Sequence, residues 1–335
     1  MNSLYQYIRS QIVVDTYKKN LHLLQPFNEY QHFVSRLHVV ERVQTAKEVY
    51  GIKIEELKRL LKMTPDQSFK LALDQDDNGY LDKLKEKNDP KIKKYLHVCR
   101  IIDDYNVLRR NNQVIDEEIK QVVYNLLDDK MIDFMCEESK DEYLRENEGT
   151  LCVNGIGYLL YLWGDQPTKR VIEAFIDLYR YYLDKVDYKG LSNRNFVYGL
   201  THCVIDVSDF YTRNVNDQIH FFQDVYPIGE LYDQTVSVIC ESLKSYTFTG
   251  TTLSLSSISS DMLAELFVVH KLLLDDYPSN KWYGDGYVIS KTYRELCNRI
   301  DSKRGYIRDH KEEDIVTDLK RNEHTNILFI LYSRL

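Results

Sequence analysis

The chain has 335 residues, with 44 Lys plus Arg against 52 Asp plus Glu and a net charge of -8. That acidic balance argues against nucleic acid as a partner, which needs a basic face; the densest basic run, Lys83 to Lys94, is broken by Glu86, Asp89 and Pro90. No apolar run approaches the roughly 20 residues of a membrane span, the start MNSLYQYIRSQIVV lacks the features of a leader, and six scattered cysteines without a CxxC pair fit reduced thiols, so a cytoplasmic protein is expected.

Gly and Pro are scarce, 13 and 6, and helical periodicity runs almost throughout, which predicts an all-α fold. The spacing predicts helices over 2–23, 27–49, 53–62, 65–73, 79–88, 91–109 and 115–135, with Thr64 capping the one that starts at Pro65. Between the fourth and fifth lies Asp74-Gln-Asp76-Asp-Asn78-Gly79-Tyr-Leu81-Asp82, which matches the first nine positions of a calcium-binding EF-hand loop. Asp74, Asp76, Asn78 and Asp82 are therefore candidate calcium ligands, but the twelfth position is Lys85 where a bidentate Glu belongs. An Asx-rich interhelical turn is the competing reading.

From about residue 146 the pattern changes. Leu151–Trp163, Phe196–Tyr211, Met262–Leu274 and Ile327–Leu335 are apolar almost all round, as helices buried on every side are. They alternate with charged amphipathic helices at 168–186, 217–244, 289–302 and 311–321. This alternation predicts an α/α toroid, complete or partial, with buried helices inside and amphipathic ones outside. Residues 1–145 would supply further amphipathic helices and 146–335 the polar cavity. An irregular solenoid is the alternative, without the fixed short period it should show.

Candidate chemistry sits where the apolar helices carry polar groups. On Asn193–Arg213, at about 100° per residue, Asn195, Tyr198, His202, Asp206, Asp209 and Arg213 share one stripe, with Thr201 beside it. An imidazole one turn from a carboxylate suits proton transfer, and a solvated face would show the same stripe. Glu265 interrupts an apolar run formed with Val268, Val269 and Leu272, and Asp261 lies one turn before it. A carboxylate so placed must be paired, protonated or used. Glu323, His324 and Thr325 open the last apolar stretch, where an acid also serves simply as a helix-start charge. Asn322 and Asn326 flank them, Cys152 and Asn154 precede GIGYLLYLW, and Ser259 and Ser260 precede Asp261. All of these are expected at the cavity. Zinc could draw on Cys152, His202, Cys203 and His324, although adjacent positions 202 and 203 point about 100° apart. The aromatic loop Trp282-Tyr-Gly-Asp-Gly-Tyr287 could be a lid or plain packing.

The segments Tyr198-Gly-Leu-Thr-His202, Asp261-x-x-x-Glu265 and Glu323-His-Thr325 resemble a pattern in poorly characterised bacterial α/α-toroid proteins, some of which accompany peptide natural-product genes. The resemblance covers the last 190 or so residues and implies that His202, Glu265, His324 and Thr325 converge. Lanthionine-synthetase cyclases are similar toroids that hold zinc through a Cys and a Cys-His pair. Here the order is His202-Cys203, and neither Trp-Cys-x-Gly nor Cys-His-Gly occurs.

The expected function is a cytosolic enzyme acting on a small or peptidic substrate. His202 or His324 would be base or acid and Glu265 the partner carboxylate. Tyr198, Thr201, Asp206, Asp209, Asp261, Glu323 and Thr325 would hold the substrate. The alternatives are a non-catalytic peptide- or ligand-binding module and a helical interaction protein. Oligomeric state is left open.

Overall fold

The computed structural model describes residues 3–25, 27–41, 43, 45–76, 81–162, 164, 166–213, 215, 222, 228–247, 255–276 and 286–335. Among them are sixteen α-helices and no strand, so the all-α expectation holds. The chain divides into two compact units that are discontinuous in sequence: Met1–Gln44 with Val186–Arg194 and Gly229–Leu335, and Thr45–Lys185 with Asn195–Ile228. Residues 145 and 146 both fall inside the second of these. Asn78, Trp163, Pro227 and 282–285 of the aromatic loop lie outside the described residues.

The first unit holds α1 (Ser3–Leu24), α2 (Asn28–Val40) and nearly all of α13 (Ile228–Thr247). It also holds α14 (Ser260–Asp276), α15 (Gly286–Asn298) and α16 (Ile315–Arg334). Its hub is α16, which packs against α14, α1 and α2. Ile327 to Leu331 are completely buried, as an all-round apolar stretch requires. Aromatic rings fill the spaces between helices: Tyr293 stacks on Phe329 at 5.7 Å and Tyr17 on Phe33 at 4.7 Å. The separate helices expected at 311–321 and 327–335 are one helix. The polar residues 322–326 do not interrupt it, since their side chains find partners.

Those partners form a ladder. Asp318, Asn322 and Asn326 stand one turn apart and pin the segment 301–312. Asp318 accepts from Tyr306, from Arg308 Nη2 at 2.9 Å and from the Glu312 amide at 2.9 Å. Asn322 Oδ1 accepts from the Asp309 and His310 amides at 2.8 and 3.0 Å, while its Nδ2 donates to the His310 and Asp318 carbonyls. Asn326 brackets Ile307 in the same way. Asn322 and Asn326, expected at a cavity, are spent on this loop.

The second unit contains α3 (Ala46–Leu60), α4 (Pro65–Gln75), α5 (Asp82–Lys87) and α6 (Pro90–Arg110). Next come α7 (Glu117–Leu126), α8 (Asp129–Glu138), α9 (Glu142–Asn147) and α10 (Gly149–Gly157). Most of α11 (Lys169–Lys189) and α12 (Arg194–Val207) completes it. The core helix is α6, which meets α3, α4, α8 and α10. Thr64 and Gln67 form the predicted cap as a full capping box. The helix expected at 27–49 is two, since α2 ends before an extended Glu41 whose carboxylate takes Arg334 at 3.0 Å. The one expected at 115–135 is also two, because Asp128 caps a new start through the Met131 amide at 2.8 Å.

Close approach of α10 to α12 depends on glycine. A Cβ on Gly149 would lie 2.2 Å from the Asn195 carbonyl oxygen, and one on Gly157 would lie 1.9 Å from Asp206 Oδ2. Gly157→Ala is expected to cost about 3 kcal/mol or more, since neither helix can yield that distance. Gly51 is the control: it is an exposed mid-helix glycine with nothing within 4 Å of an added Cβ. Gly51→Ala should stabilise by about 0.5–1 kcal/mol. Urea denaturation of the two variants reads both signs; equal effects would dismiss the close contact.

Candidate functional site

Two polar clusters lie inside the helices, one in each unit. In the first unit α14 supplies Asp261 and Glu265, α16 supplies Glu323, His324 and Thr325, and α2 supplies His32 and Arg36. The start of α14 is tightly held. The Asp309 carboxylate caps it by accepting from the Ser260 amide at 2.6 Å and the Asp261 amide at 3.2 Å. Arg299 donates to the Ile258 and Leu255 carbonyls beneath it at 2.8 and 2.6 Å. The pinned segment 301–312 therefore places Asp261.

Asp261 Oδ1 accepts from His324 Nδ1 at 2.7 Å and from the Thr325 hydroxyl at 3.1 Å. Its Oδ2 pairs with Arg194 at 3.2 Å. With Nδ1 bound to Asp261, Nε2 of His324 is the nitrogen left to work, and Glu265 Oε1 stands 3.5 Å from it. Burial disfavours the imidazolium, but the charge of Asp261, its hydrogen bond and the charge of Glu265 outweigh burial. The His324 pKa consequently lies above the ordinary imidazole value. Glu265 is 1% exposed, whereas the His324 side chain is 35% exposed.

Behind His324, the Glu323 carboxyl contacts His32 Nδ1 at 2.8–2.9 Å. Burial pushes Glu323 up to about 8, against the opposing charges of His324 and Arg36. The His32 and His324 rings are 5.4 Å apart. All five residues expected from α14 and α16 (Asp261, Glu265, Glu323, His324 and Thr325) do come together. His32 and Arg36 were not expected; the only trace of them is their one-turn spacing on α2.

In the second unit the stripe on α12 is buried, so the solvated-face reading does not apply. His202 is 6% exposed and its Nδ1–H donates to Asn154 Oδ1 at 2.8 Å, while Asn154 Nδ2 donates to the Tyr158 hydroxyl at 3.0 Å. Thr201 is fully buried, with its hydroxyl on the Tyr198 carbonyl at 3.1 Å, and Tyr198 is also buried. The helix expected to reach Arg213 ends at Val207. Asp209, Phe210 and Tyr211 then take left-handed φ of 48°, 54° and 69°, an arrangement that costs on the order of 1–3 kcal/mol per residue. The turn is held by Arg109, which grips both Asp209 oxygens at 2.7 and 2.9 Å, with Arg110 and Arg213 at 3.6 and 3.3 Å. Arg110 also lies 4.4 Å over the Phe210 ring. Asp209 is thereby committed to three guanidinium groups.

Asp206 is different. It is 1% exposed, and neither carboxylate oxygen has a hydrogen-bond partner among the described residues. Burial holds its pKa well above the carboxylate range, with Asp103 and Asp209 reinforcing and Arg110 opposing. It is a buried acid whose charged form is disfavoured, lodged against Gly157.

Metal chemistry finds little support in the donor set. The Cys152 thiol donates to the Ser139 carbonyl at 3.3 Å, and burial lifts it to about 12. Cys203 is likewise pushed up by burial. Among the described residues no group of three or more His, Cys, Asp or Glu is arranged to hold an ion. In the calcium-like loop Asp74 lies in the last turn of α4 and Asp82 opens α5, while Asp76 accepts from the Leu81 amide five residues on, at 2.6 Å. No described helix is long and apolar enough to cross a membrane.

Comparison with protein-family models, with curated proteins and with solved structures returns no match for this chain.

Proposed function

We propose that the chain is an enzyme working by histidine–carboxylate acid–base chemistry on a small or peptidic substrate, with His324 as the proton-transferring group. One observation carries the reading: His324 is a part-exposed imidazole, oriented through Nδ1 by Asp261 and flanked at Nε2 by buried Glu265. An acid holding one ring nitrogen sets the tautomer and ring angle of a catalytic histidine. Glu265 is the partner carboxylate, Thr325 and Arg194 keep Asp261 in place, and Glu323 bonded to His32 stands behind the imidazole. His202, 6% exposed, is the less accessible imidazole.

The α/α toroid belongs to this proposal as well. In chain order the largely buried helices α10, α12 and α14 and the buried stretch 322–331 of α16 alternate with amphipathic α11, α13 and α15, which supports a double ring. A role in peptide natural-product modification rests on the motif resemblance.

The test is turnover of a defined peptide library by the purified protein, followed by mass spectrometry, beside His324→Gln. Products formed by the wild type and reduced 10²–10⁴-fold in a folded His324→Gln variant are expected. Peptides bound but unchanged by both would assign the cluster to a binding module instead. NMR titration should show the His324 pKa moving down in Asp261→Asn.

A further inference from the structure

The cationic group the acid–base scheme does not use is Arg36. It lies one helical turn beyond His32 on α2 and close enough to the cluster for its charge to oppose the His324 imidazolium and to ease ionisation of Glu323. The carboxylates of the cluster are each engaged elsewhere. Asp261 serves His324, Thr325 and Arg194, Glu323 serves His32, and Glu265 faces His324. Arg36 itself makes no hydrogen bond or ion pair among the described residues, and its Nε is buried without an acceptor.

A buried guanidinium N–H left without an acceptor costs more than the bond it forgoes. Folding therefore gives no account of why Arg36 points its Nε inward. Guanidinium stays charged at every working pH and presents a planar fork of donors that fits an oxyanion through two parallel bonds. The cluster as a whole holds three cationic groups (Arg36, Arg194 and protonated His324) and one carboxyl, Glu323, that burial pushes up to about 8. The surroundings favour an incoming negative charge despite the acids.

We infer that the substrate of the His324 site carries an anionic oxygen group, a carboxylate or a phosphate, which docks on the Arg36 fork beside the reacting histidine. This rests on the acid–base reading for what happens next, but the docking itself is measurable without turnover. An anchored anion fixes the substrate relative to Nε2, which is the orientation that acid–base catalysis needs. Acidic peptides and free C-termini qualify as ligands; amidated neutral peptides do not.

The experiment titrates acetate and, separately, inorganic phosphate into the full-length protein, watching the His324 ring signals, with choline chloride holding ionic strength constant. Binding at Arg36 removes its repulsion of the imidazolium, so a saturable shift and an upward move of the His324 pKa are expected. In Arg36→Gln that pKa should already be high without anion, and the response should vanish. Arg36→Lys keeps the charge but loses the fork and should respond at least tenfold more weakly. The stronger of the two probes names the oxyanion. A response unchanged in Arg36→Gln, or none in the wild type, overturns the inference. Anion binding without His324-dependent turnover would overturn the enzymatic reading alone and leave the anchor standing.

Discussion

Raising the pH from 5.5 to 8 should make the folded protein less stable by several kcal/mol. Burial holds Glu323 at about 8 and Glu148 at about 7, and Asp206 well above its usual range. In the unfolded chain such groups release their protons near pH 4 to 4.5. Across the interval the folded state thus binds more protons than the unfolded state, and stability must fall as pH rises. Each fully buried group contributes up to about 1.4 kcal/mol per pH unit until its folded pKa is passed. Glu323 alone should contribute on the order of 3 kcal/mol, and Glu148, being only half-buried, less. His324, also raised, adds a term of the same sign that is complete below about 6.5 and lost through its folded pKa. Asp301 and Asp314, whose pKa values hydrogen bonds lower, act oppositely, but finish titrating below the interval. Urea denaturation at four pH values checks the slope. Glu323→Gln and Asp206→Asn should each flatten it and stabilise the protein at pH 8. Stability that rises over this range would refute the protonated-carboxyl assignment.

Five of the seven residues of the first-unit cluster could be read in the sequence because they rest on spacing within single helices. Asp261 and Glu265 one turn apart, with Val268, Val269 and Leu272 around them, announce a carboxylate that an apolar face must account for. His324 beside Glu323, ahead of ILFILY, is conspicuous for the same reason. His32 and Arg36 were not legible. They sit on an ordinary amphipathic helix, and what makes them part of the site is α16, about 290 residues further on. The α12 stripe was legible as a stripe but not as buried, since periodicity tells which residues share a face and not what covers it. Its end at Val207 carried no glycine or proline signal, because a grip of three arginines holds the left-handed turn. Asn322 and Asn326 misled for a related reason. A polar residue in an apolar helix faces either a cavity or a loop needing backbone partners, and only the fold of 301–312 decides which.

That loop makes Asn322 the residue through which scaffold and chemistry can be separated. Asn322→Ala removes two acceptor and two donor contacts at once, leaving the Asp309 and His310 amides without their acceptor. The expected cost is about 2–4 kcal/mol, the sum of modest hydrogen-bond terms and the desolvation of orphaned groups. The second consequence is more specific. Asp309 is the cap of α14, so a loosened loop releases the Ser260 and Asp261 amides. The Asp261 carboxylate then drifts from His324. The His324 pKa should fall toward that of Asp261→Asn, although position 322 touches neither residue. Asp314→Ala supplies the comparison: it removes the cap of α16 at the Thr317 amide and hydroxyl, should cost about 1 kcal/mol, and should leave the His324 titration unmoved. Stability loss in Asn322→Ala with an unchanged His324 titration would show that the loop supports the fold but does not set the geometry of the site.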